Sequence, residues 1–185
     1  SMPDRLLARR AVQVHATEWL QMLPPAARFV IQGGPPVCAI ASGIFGVALS
    51  ENACRASLRG DRAALWLGPG EHLLLARAED AGILLADLES ALSGVAHSLV
   101  DVSHRQISLR LGGPDASAIL NTGCPLDLDE AAFPVGMCTR TLLGKADIVL
   151  WRTGAAEFQL EVWRSFSDYV SRWLLEAASD FAVPG

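Results

Sequence analysis

Two similar stretches decide the fold, FVIQGGP at residues 29–35 and ISLRLGGP at residues 107–114. In each, a run rich in apolar residues ends in Gly-Gly-Pro, a pattern typical of a strand that turns sharply into a helix. An Ala-rich segment follows both copies. Copies about eighty residues apart predict a duplicated unit rather than a solenoid, because solenoids need three or more repeats to be stable.

Each copy continues with apolar runs and ends in a segment of helical period. GPGE at residues 68–71 has Pro second and Gly third, the order of a type II turn, and predicts a hairpin. This turn joins predicted strands at residues 63–67 and 71–76. In the second copy, a turn at residues 144–146 joins predicted strands at 138–143 and 147–152. The segments 80–92 and 165–178 repeat apolar residues at three- and four-residue steps and are predicted to be helices.

These elements predict an α+β fold. We expect duplicated strand–helix–hairpin–helix units that form antiparallel-rich sheets with helices packed on them. The predicted organisation is an N-terminal lead-in at residues 1–25 and a single domain at 26–185. That domain would consist of two pseudo-repeats, at about 26–95 and 98–180.

Further local predictions accompany this outline. Residues 51–61 are charged and small, and are predicted to be an exposed loop. In the last helix, Ser165 and Asp168 resemble a capping box. The apolar stripe of that helix is expected to pack on the sheet; its members are Phe166, Tyr169, Val170, Trp173 and Leu174.

The composition favours a protein that docks onto a partner. Hydrophobic residues make up 51% of the 185 residues and charged residues only 19%, enough for a large core with apolar surface left over. The net charge of −5 supplies no basic footprint, so we expect neither nucleic acid nor a membrane as partner. The weakly polar run 39–49 is too short to span a bilayer. Because no apolar segment of a secretory signal follows the N-terminal arginines, we expect a cytoplasmic protein with reduced thiols.

Asp101, Ser103 and His104 are residue types of a catalytic triad, yet their spacing argues against one. Alternate side chains of a strand share a face, so His104 would point away from the other two. We interpret the segment as a polar strand end. Asp101, Ser103, His104 and Arg105 are therefore expected to lie at the rim of a partner interface.

Other candidate sites have structural explanations. The Gly-Gly-Pro turns lack the remaining glycines and lysine of phosphate-binding loops. Cys124 has no base close in sequence and is expected to be a buried apolar thiol. The four cysteines form no C-x-x-C pair, which argues against zinc.

The remaining histidines and the acidic residues of one loop also have structural explanations. His15, His72 and His97 are isolated and predicted at the surface or in turns. The acidic residues of 127–130 are predicted to be a solvated loop rather than a metal site.

Four blocks of sequence carry a resemblance to a known family. They are ALWLGPGEHLLL at 64–75, VDVSHRQ at 100–106, LGGPDA at 111–116 with CPLDL at 124–128, and RSF at 164–166 with Tyr169 and Trp173-Leu174. In this order they resemble the gamma subunit of heterotetrameric sarcosine oxidase, over roughly residues 26–180. The wider superfamily includes aminomethyltransferase of the glycine cleavage system, whose folate-binding domain the predicted fold resembles.

The resemblance implies a non-catalytic subunit with alpha, beta and delta partners. Such a complex oxidatively demethylates sarcosine to glycine, produces hydrogen peroxide and transfers one carbon to tetrahydrofolate. FAD, FMN, NAD, zinc and tetrahydrofolate would lie on other subunits, so no catalytic, cofactor-binding or metal residues are expected here. The isolated chain is expected to be inactive, with a homodimer as one expected state. The alternative is a stand-alone folate-binding one-carbon transferase similar to aminomethyltransferase.

Overall fold

A computed structural model describes residues 17–181, in which two five-stranded sheets face each other. Each sheet carries two helices on its outer face, so the layers run helix, sheet, sheet, helix. Every strand pairing in both sheets is antiparallel. The predicted α+β fold is confirmed.

The first sheet has the strand order β3-β4-β5-β2-β6. Its elements and their helices are β2 (Ala26–Gly33), α1 (Pro35–Phe45), β3 (Ala56–Arg59), β4 (Arg62–Gly68), β5 (Glu71–Arg77), α2 (Ala81–Ala91) and β6 (His97–Asp101). A 3-10 turn, Ala78–Asp80, leads into α2.

The second sheet has the corresponding order β8-β9-β10-β7-β1. Its elements are β1 (Leu20–Met22), β7 (Gln106–Gly112), α3 (Ala116–Asn121), β8 (Cys138–Leu143), β9 (Ala146–Gly154), β10 (Glu157–Trp163) and α4 (Ser167–Ser179). A 3-10 turn, Arg164–Phe166, leads into α4. The duplication is therefore complete at the level of topology.

The outer strand of each sheet is exchanged between the halves. Strand β1 precedes the first half but pairs with β7 of the second, and β6 precedes the second half but pairs with β2 of the first. Each half thus completes the sheet of the other. This exchange joins the halves through backbone hydrogen bonds as well as side chains.

The alternation of side chains divides the core into layers. In β2, Phe29 and Ile31 are buried beneath the helices of the first half, while Arg28 and Val30 face the second sheet. The equivalent helix-facing core of the second half includes Leu109 of β7 and Leu174 of α4. A third cluster fills the space between the sheets. Because both faces of each sheet are covered, the period-two pattern separates two interiors rather than core from solvent.

The structural alignment of the two repeats is shifted by one residue from the alignment of their Gly-Gly-Pro motifs. The amide of Gly33 donates to Gly70 O at 2.9 Å, and that of Gly113 donates to Ala156 O at 2.9 Å. These matching bonds make Gly33 equivalent to Gly113, whereas the motifs alone would match Gly34 with Gly113. The difference arises because α1 begins two residues after Gly33 and the second helix begins three residues after Gly113.

Two segments differ from their predicted conformation. Residues 51–61 were predicted to be a loop, yet Ala56–Arg59 form edge strand β3, paired with β4 around a turn at Gly60. Within the predicted lead-in, Leu20–Met22 form β1, and Leu20 is buried. Both strands are short, and their pairing partners rather than their own sequences stabilise them. Residues 1–16 of the lead-in lie outside the described residues.

The start of the final helix also differs. The predicted capping box is wrong, because residues 164–166 form the 3-10 turn and no side chain caps α4. Instead, Ser167 Oγ donates to Arg164 O at 2.7 Å. Val170 and Leu174 are buried as predicted, whereas Phe166 lies in the turn and is exposed. Trp173 is partly buried against the core.

Candidate functional site

The predicted rim lies on the link between β6 and β7, where the chain passes from one sheet to the other. Asp101 Oδ1 accepts hydrogen bonds from the amide of Ser103 at 2.9 Å and from its hydroxyl at 2.5 Å. The Ser103 hydroxyl in turn accepts from the amide of Arg28 at 2.9 Å. Asp101 and Ser103 therefore fix the shape of this link. Among residues 17–181, the side chains of His104 and Arg105 form no hydrogen bond, so no triad geometry exists here.

Arg164 joins the rim from the other end of the sequence. Its amide donates to Arg105 O at 2.7 Å, and its Nε donates to His104 O at 3.1 Å. The guanidinium is thereby held against the link between β6 and β7. The sequence separation of about sixty residues explains why Arg164 was not predicted as a rim residue.

A cavity of about 360 Å³, here called the loop cavity, opens beside this link. Its polar lining consists of Arg28, Asp101, Ser103, His104, Gln106 and Arg164. Its apolar wall includes Leu23, Pro24, Ala81 and Ile107. Three of the four predicted rim residues thus line one concave site, and Arg105 lies outside its lining.

Gln106 is the most unusual member of this lining. Its side chain is only 9% exposed, yet its Oε1 is buried without a hydrogen-bond partner among the described residues. Leaving a buried amide oxygen unpaired costs about 1–3 kcal/mol. Gln106 also lines a second cavity of about 290 Å³ between the two sheets. The Gln106 side chain therefore lies between the two cavities, with an Oε1 that is both unpaired and shielded by the surrounding protein.

A buried ion pair lies next to Gln106 and connects the two halves. Arg28 Nε donates to Glu161 Oε2 at 2.7 Å, and the two side chains are 2% and 1% exposed. Arg28 Nη2 donates to Ser108 Oγ at 2.6 Å, and the Ser108 hydroxyl donates to Glu161 Oε1. Gln159 Nε2 donates to the same carboxylate oxygen at 2.8 Å. With these bonds the two charges neutralise each other, and both carboxylate oxygens of Glu161 accept hydrogen bonds.

The cavity between the sheets is bounded by both halves. Val30 and Leu73 line it from the first sheet, and Val149 and Glu161 line it from the second. At its edge, Arg140 of β8 forms an ion pair with Glu71 of β5 at 2.5 Å. This exposed pair bridges the two sheets at the opening of the cavity.

The cysteines occupy apolar surroundings. Cys124 is buried, and its sulfur lies 3.8 Å from Thr141 Oγ1, as expected for a packed thiol. Burial raises the pKa of the Cys138 thiol to about 12. Because the thiolate is the nucleophilic form, Cys138 is unreactive at neutral pH.

The histidines and acidic residues were predicted with mixed success. His72 is buried, with Nε2 2.9 Å from Ser50 O, so its predicted surface position is wrong. Its place in β5 turns the ring inward. His97 is exposed, and His15 lies outside the described residues. Asp127 and Asp129 accept from backbone amides two residues on, and residues 17–181 contain no group of three or more acidic, His or Cys residues arranged to hold a metal.

Residues 33–180 match the model of the family described as sarcosine oxidase, gamma subunit. The match extends over most of the chain and contains both pseudo-repeats almost entirely. The chain belongs to this family. Within the family, a curated sarcosine oxidase subunit gamma from Corynebacterium sp. (strain P-1) is 38% identical over 120 residues, and one from Arthrobacter sp. is 37% identical over 122. The aligned regions cover 65% and 66% of this chain and 58% and 59% of those relatives, less than two thirds of their length.

Solved structures agree with the family assignment. A chain of heterotetrameric sarcosine oxidase from Corynebacterium sp. U-96, in complex with pyrrole 2-carboxylate, superposes with a TM-score of 0.83 at 30% identity. The superposition covers 90% of this chain and 86% of that one. Aminomethyltransferase T of the glycine cleavage system from Bartonella henselae superposes with a TM-score of 0.63 at 17% identity, covering 84% of this chain and 45% of that one. At that identity the second likeness concerns the fold alone.

Proposed function

We propose that this gamma-family chain is a non-catalytic subunit of a heterotetrameric sarcosine oxidase. The observation that carries the proposal is the superposition of 90% of the chain on a chain of such a complex, at 30% identity. A TM-score of 0.83 over 90% of the chain indicates that the two chains share one overall fold.

The surface composition supports a docking role. Large apolar side chains remain exposed on strands at sheet edges and on helices, among them Leu58, Ile83, Val100 and Leu142. Ile83 is 69% exposed. Single exposed apolar residues are ordinary, but several on one small chain are in keeping with a subunit that buries surface on assembly.

In this proposal the partners are the alpha, beta and delta subunits, and the assembly is cytoplasmic. The complex oxidatively demethylates sarcosine to glycine, with hydrogen peroxide as product and one-carbon transfer to tetrahydrofolate. FAD, FMN, NAD, zinc and tetrahydrofolate are held by the other subunits. None of the helices within residues 17–181 is both long and apolar enough to cross a membrane.

The rim residues supply the direct test of assembly. The Arg105 side chain is exposed and forms no hydrogen bond within the described residues, so Arg105→Glu should leave the fold intact. Co-expression with the other three subunits, followed by size exclusion, should show weaker assembly of this variant. Arg172→Glu, an equal charge reversal on the exposed face of α4, is the matched control and should assemble normally. Normal assembly of Arg105→Glu would remove Arg105 from the interface.

The isolated chain separates the subunit role from the alternative function. We expect it to produce no hydrogen peroxide from sarcosine and to co-purify with the large subunits when they are co-expressed. A chain that elutes alone from that mixture and binds tetrahydrofolate by itself would instead be a stand-alone transferase-like protein.

A further inference from the structure

Strand β6 has one long side without a pairing partner in residues 17–181. It is an outer strand of the first sheet, where only β2 pairs with it, and none of its five residues is buried. The amide of Val102 donates to Arg28 O at 2.9 Å, so the even-numbered residues of β6 form the hydrogen-bonded pairs with β2. The N–H and C=O groups of the odd-numbered residues therefore point away from the sheet.

The other outer strands are joined, positively charged or shorter. Strands β3 and β8 meet at the bridge between Arg55 and Met137, with backbone hydrogen bonds of 2.9 Å on both sides of it. Each also carries an arginine, Arg59 in β3 and Arg140 in β8, and β1 has only three residues. Natural sheet edges are commonly protected by charges, proline, bulges or covering segments. Strand β6, with the sequence HSLVD, contains no Lys, Arg or Pro and pairs with β2 without a register shift, so its edge is open to another strand.

The sequence of β6 complements itself when two copies run antiparallel. With Leu99 opposite Leu99 of the second copy, His97 lies opposite Asp101, and Ser98 lies opposite Val100. This register places outward-facing backbone groups opposite each other, so three pairs with two hydrogen bonds each can form. A shift by one residue would place outward-facing groups opposite inward-facing ones, and a shift by two would separate His97 from Asp101.

The charged ends of β6 fit this register. The Nδ1 atom of His97 is 2.6 Å from Val95 O and donates to it, because a carbonyl oxygen only accepts, and this leaves Nε2 to face a neighbour. Asp101 accepts from Ser103 through Oδ1, and its Oδ2 has no partner among the described residues. In the paired copies, His97 as an imidazolium would donate from Nε2 to Asp101 Oδ2, and the opposite charge favours that protonated form. The contact would occur twice, once at each end.

The apolar residues of β6 would lie at the centre of the same contact. Leu99 is opposite Ile31 and packs at the margin of the helix-facing core, so the two copies of Leu99 would extend that core across the pairing. Val100, on the other face, is 41% exposed and would be covered by the strand of the second copy. Pairing would thus bury apolar surface on both faces while satisfying the outward backbone groups.

We propose that two copies of this chain pair antiparallel along β6, about a twofold axis at Leu99, and join their first sheets into one continuous sheet. A contact between five-residue strands lies at the small end of protein interfaces, below about 1,200 Å². The dimer is therefore reversible and dissociates on dilution.

Two substitutions at one position test the pairing of charges. Sedimentation velocity of the full chain at pH 6 should show a monomer that becomes a dimer as concentration rises. His97→Asp places like charges opposite each other twice and should weaken the dimer by about tenfold or more. His97→Lys keeps a cation opposite Asp101 and should dimerise at least as well as the native chain. Both variants lose the bond to Val95 O, so the comparison isolates the sign of the charge.

Cysteine crosslinking tests the register. Opposed residues of a pair without hydrogen bonds have Cα atoms about 4.5 Å apart, within the reach of a disulfide. A mixture of Ser98→Cys and Val100→Cys should therefore form a covalent dimer with diamide. Each variant alone should not, because its two substituted positions would be diagonal neighbours about 7–8 Å apart. The native chain with its four cysteines is the control under the same treatment.

Amide hydrogen exchange tests the edge itself without a substitution. The amides of residues 97, 99 and 101 should become protected as concentration rises, whereas those of 98 and 100, which already bind β2, should not change. A monomer at every concentration, equal dimerisation of the two His97 variants, or crosslinking of Ser98→Cys with itself would overturn the proposal. Protection of the odd-numbered amides only after co-expression with the other subunits would assign the edge to a partner's strand and would also overturn it. All dimer measurements use the isolated chain, so failure to assemble with those subunits would leave this result standing.

Discussion

The two halves of the molecule share a strand order but differ where they face each other. Arg28 and Ser108 lie five residues before the equivalent glycines, and their antiparallel partners are Leu75 and Glu161. The first half therefore has Arg opposite Leu, and the second has Ser opposite Glu. Only this asymmetry allows a single buried ion pair to form between the halves. The helix-facing clusters are apolar in both copies, whereas at this one pair of inner positions the two copies carry different, complementary residues.

Giving the second half the residue that the first half has opposite Arg28 should have the largest effect on stability. Glu161→Leu gives the second half the residue type that the first half has at Leu75, and leaves the buried Arg28 without a counterion. We expect the free energy of unfolding to fall by about 3–5 kcal/mol, measured by urea denaturation.

A double variant distinguishes loss of charge from loss of packing. Arg28→Met combined with Glu161→Leu removes both charges, and its stability should return to that of the native protein or exceed it by about 1–4 kcal/mol. If the double variant were as unstable as Glu161→Leu alone, the ion pair would not be the source of the difference.

The core between each sheet and its two helices should lose similar stability in both halves when a buried leucine is truncated. Leu88 of α2 and Leu174 of α4 are fully buried at equivalent helix positions, each 18 residues after the equivalent turn residues Gly70 and Ala156. Replacing either with Ala should reduce the free energy of unfolding by about 2–5 kcal/mol. Thermal or urea unfolding of the two variants provides the comparison. A nearly neutral result for only one of them would contradict the equivalence of the helices.

Substitutions at the equivalent hairpin-turn positions, Gly70 and Ala156, should change the free energy of unfolding by different amounts. Gly70 has φ of +67°, and a Cβ there would overlap Gly33 O, whereas Ala156 already has a side chain. Gly70→Ala should therefore cost about 1–3 kcal/mol, and Ala156→Gly only about 0.4–1 kcal/mol. Gly43→Ala in α1 is the control, because an added Cβ meets no atom within 4 Å. This control should gain about 0.4–1 kcal/mol, as seen by a higher Tm.

The smallest effect is expected in the pH dependence of the second half. A hydrogen bond from Arg110 holds the pKa of Glu157 below its ordinary value. Stability from this pair is therefore complete above the ordinary carboxyl pKa and is lost as the pH falls through the lowered one. Because both side chains are partly exposed, the change should stay below about 1 kcal/mol. Glu157→Gln should flatten this acid limb of a stability–pH curve, and an unchanged limb would contradict it.

Most of the fold could be predicted because its signals are local. The Gly-Gly-Pro turns, the GPGE hairpin and the helical period of residues 165–178 each depend on neighbours within one element. Strands β1 and β3 were missed because each is three or four residues long and exists through its pairing partner. The capping box was wrong because the 3-10 turn moved the helix start to Ser167.

The site could be predicted only in part, for a similar reason. Asp101, Ser103 and His104 line one cavity because they lie within four residues of each other, at the end of β6 and on its link to β7. Gln106 belongs to β7, and the polar face of this strand meets the other sheet, a contact that the sequence of the strand does not reveal. Arg164, which completes the cavity, comes from a distant turn.

The sequence by itself determined the family, the α+β class and the duplication, because apolar period and turn residues act over a few positions. The tertiary structure alone decided that the halves exchange their outer strands and that Arg28 meets Glu161, 133 residues away. It also decided which polar groups lack partners. Such facts depend on the packing of one sheet against the other, and a buried charge or amide reveals its partner only when both sheets are in place.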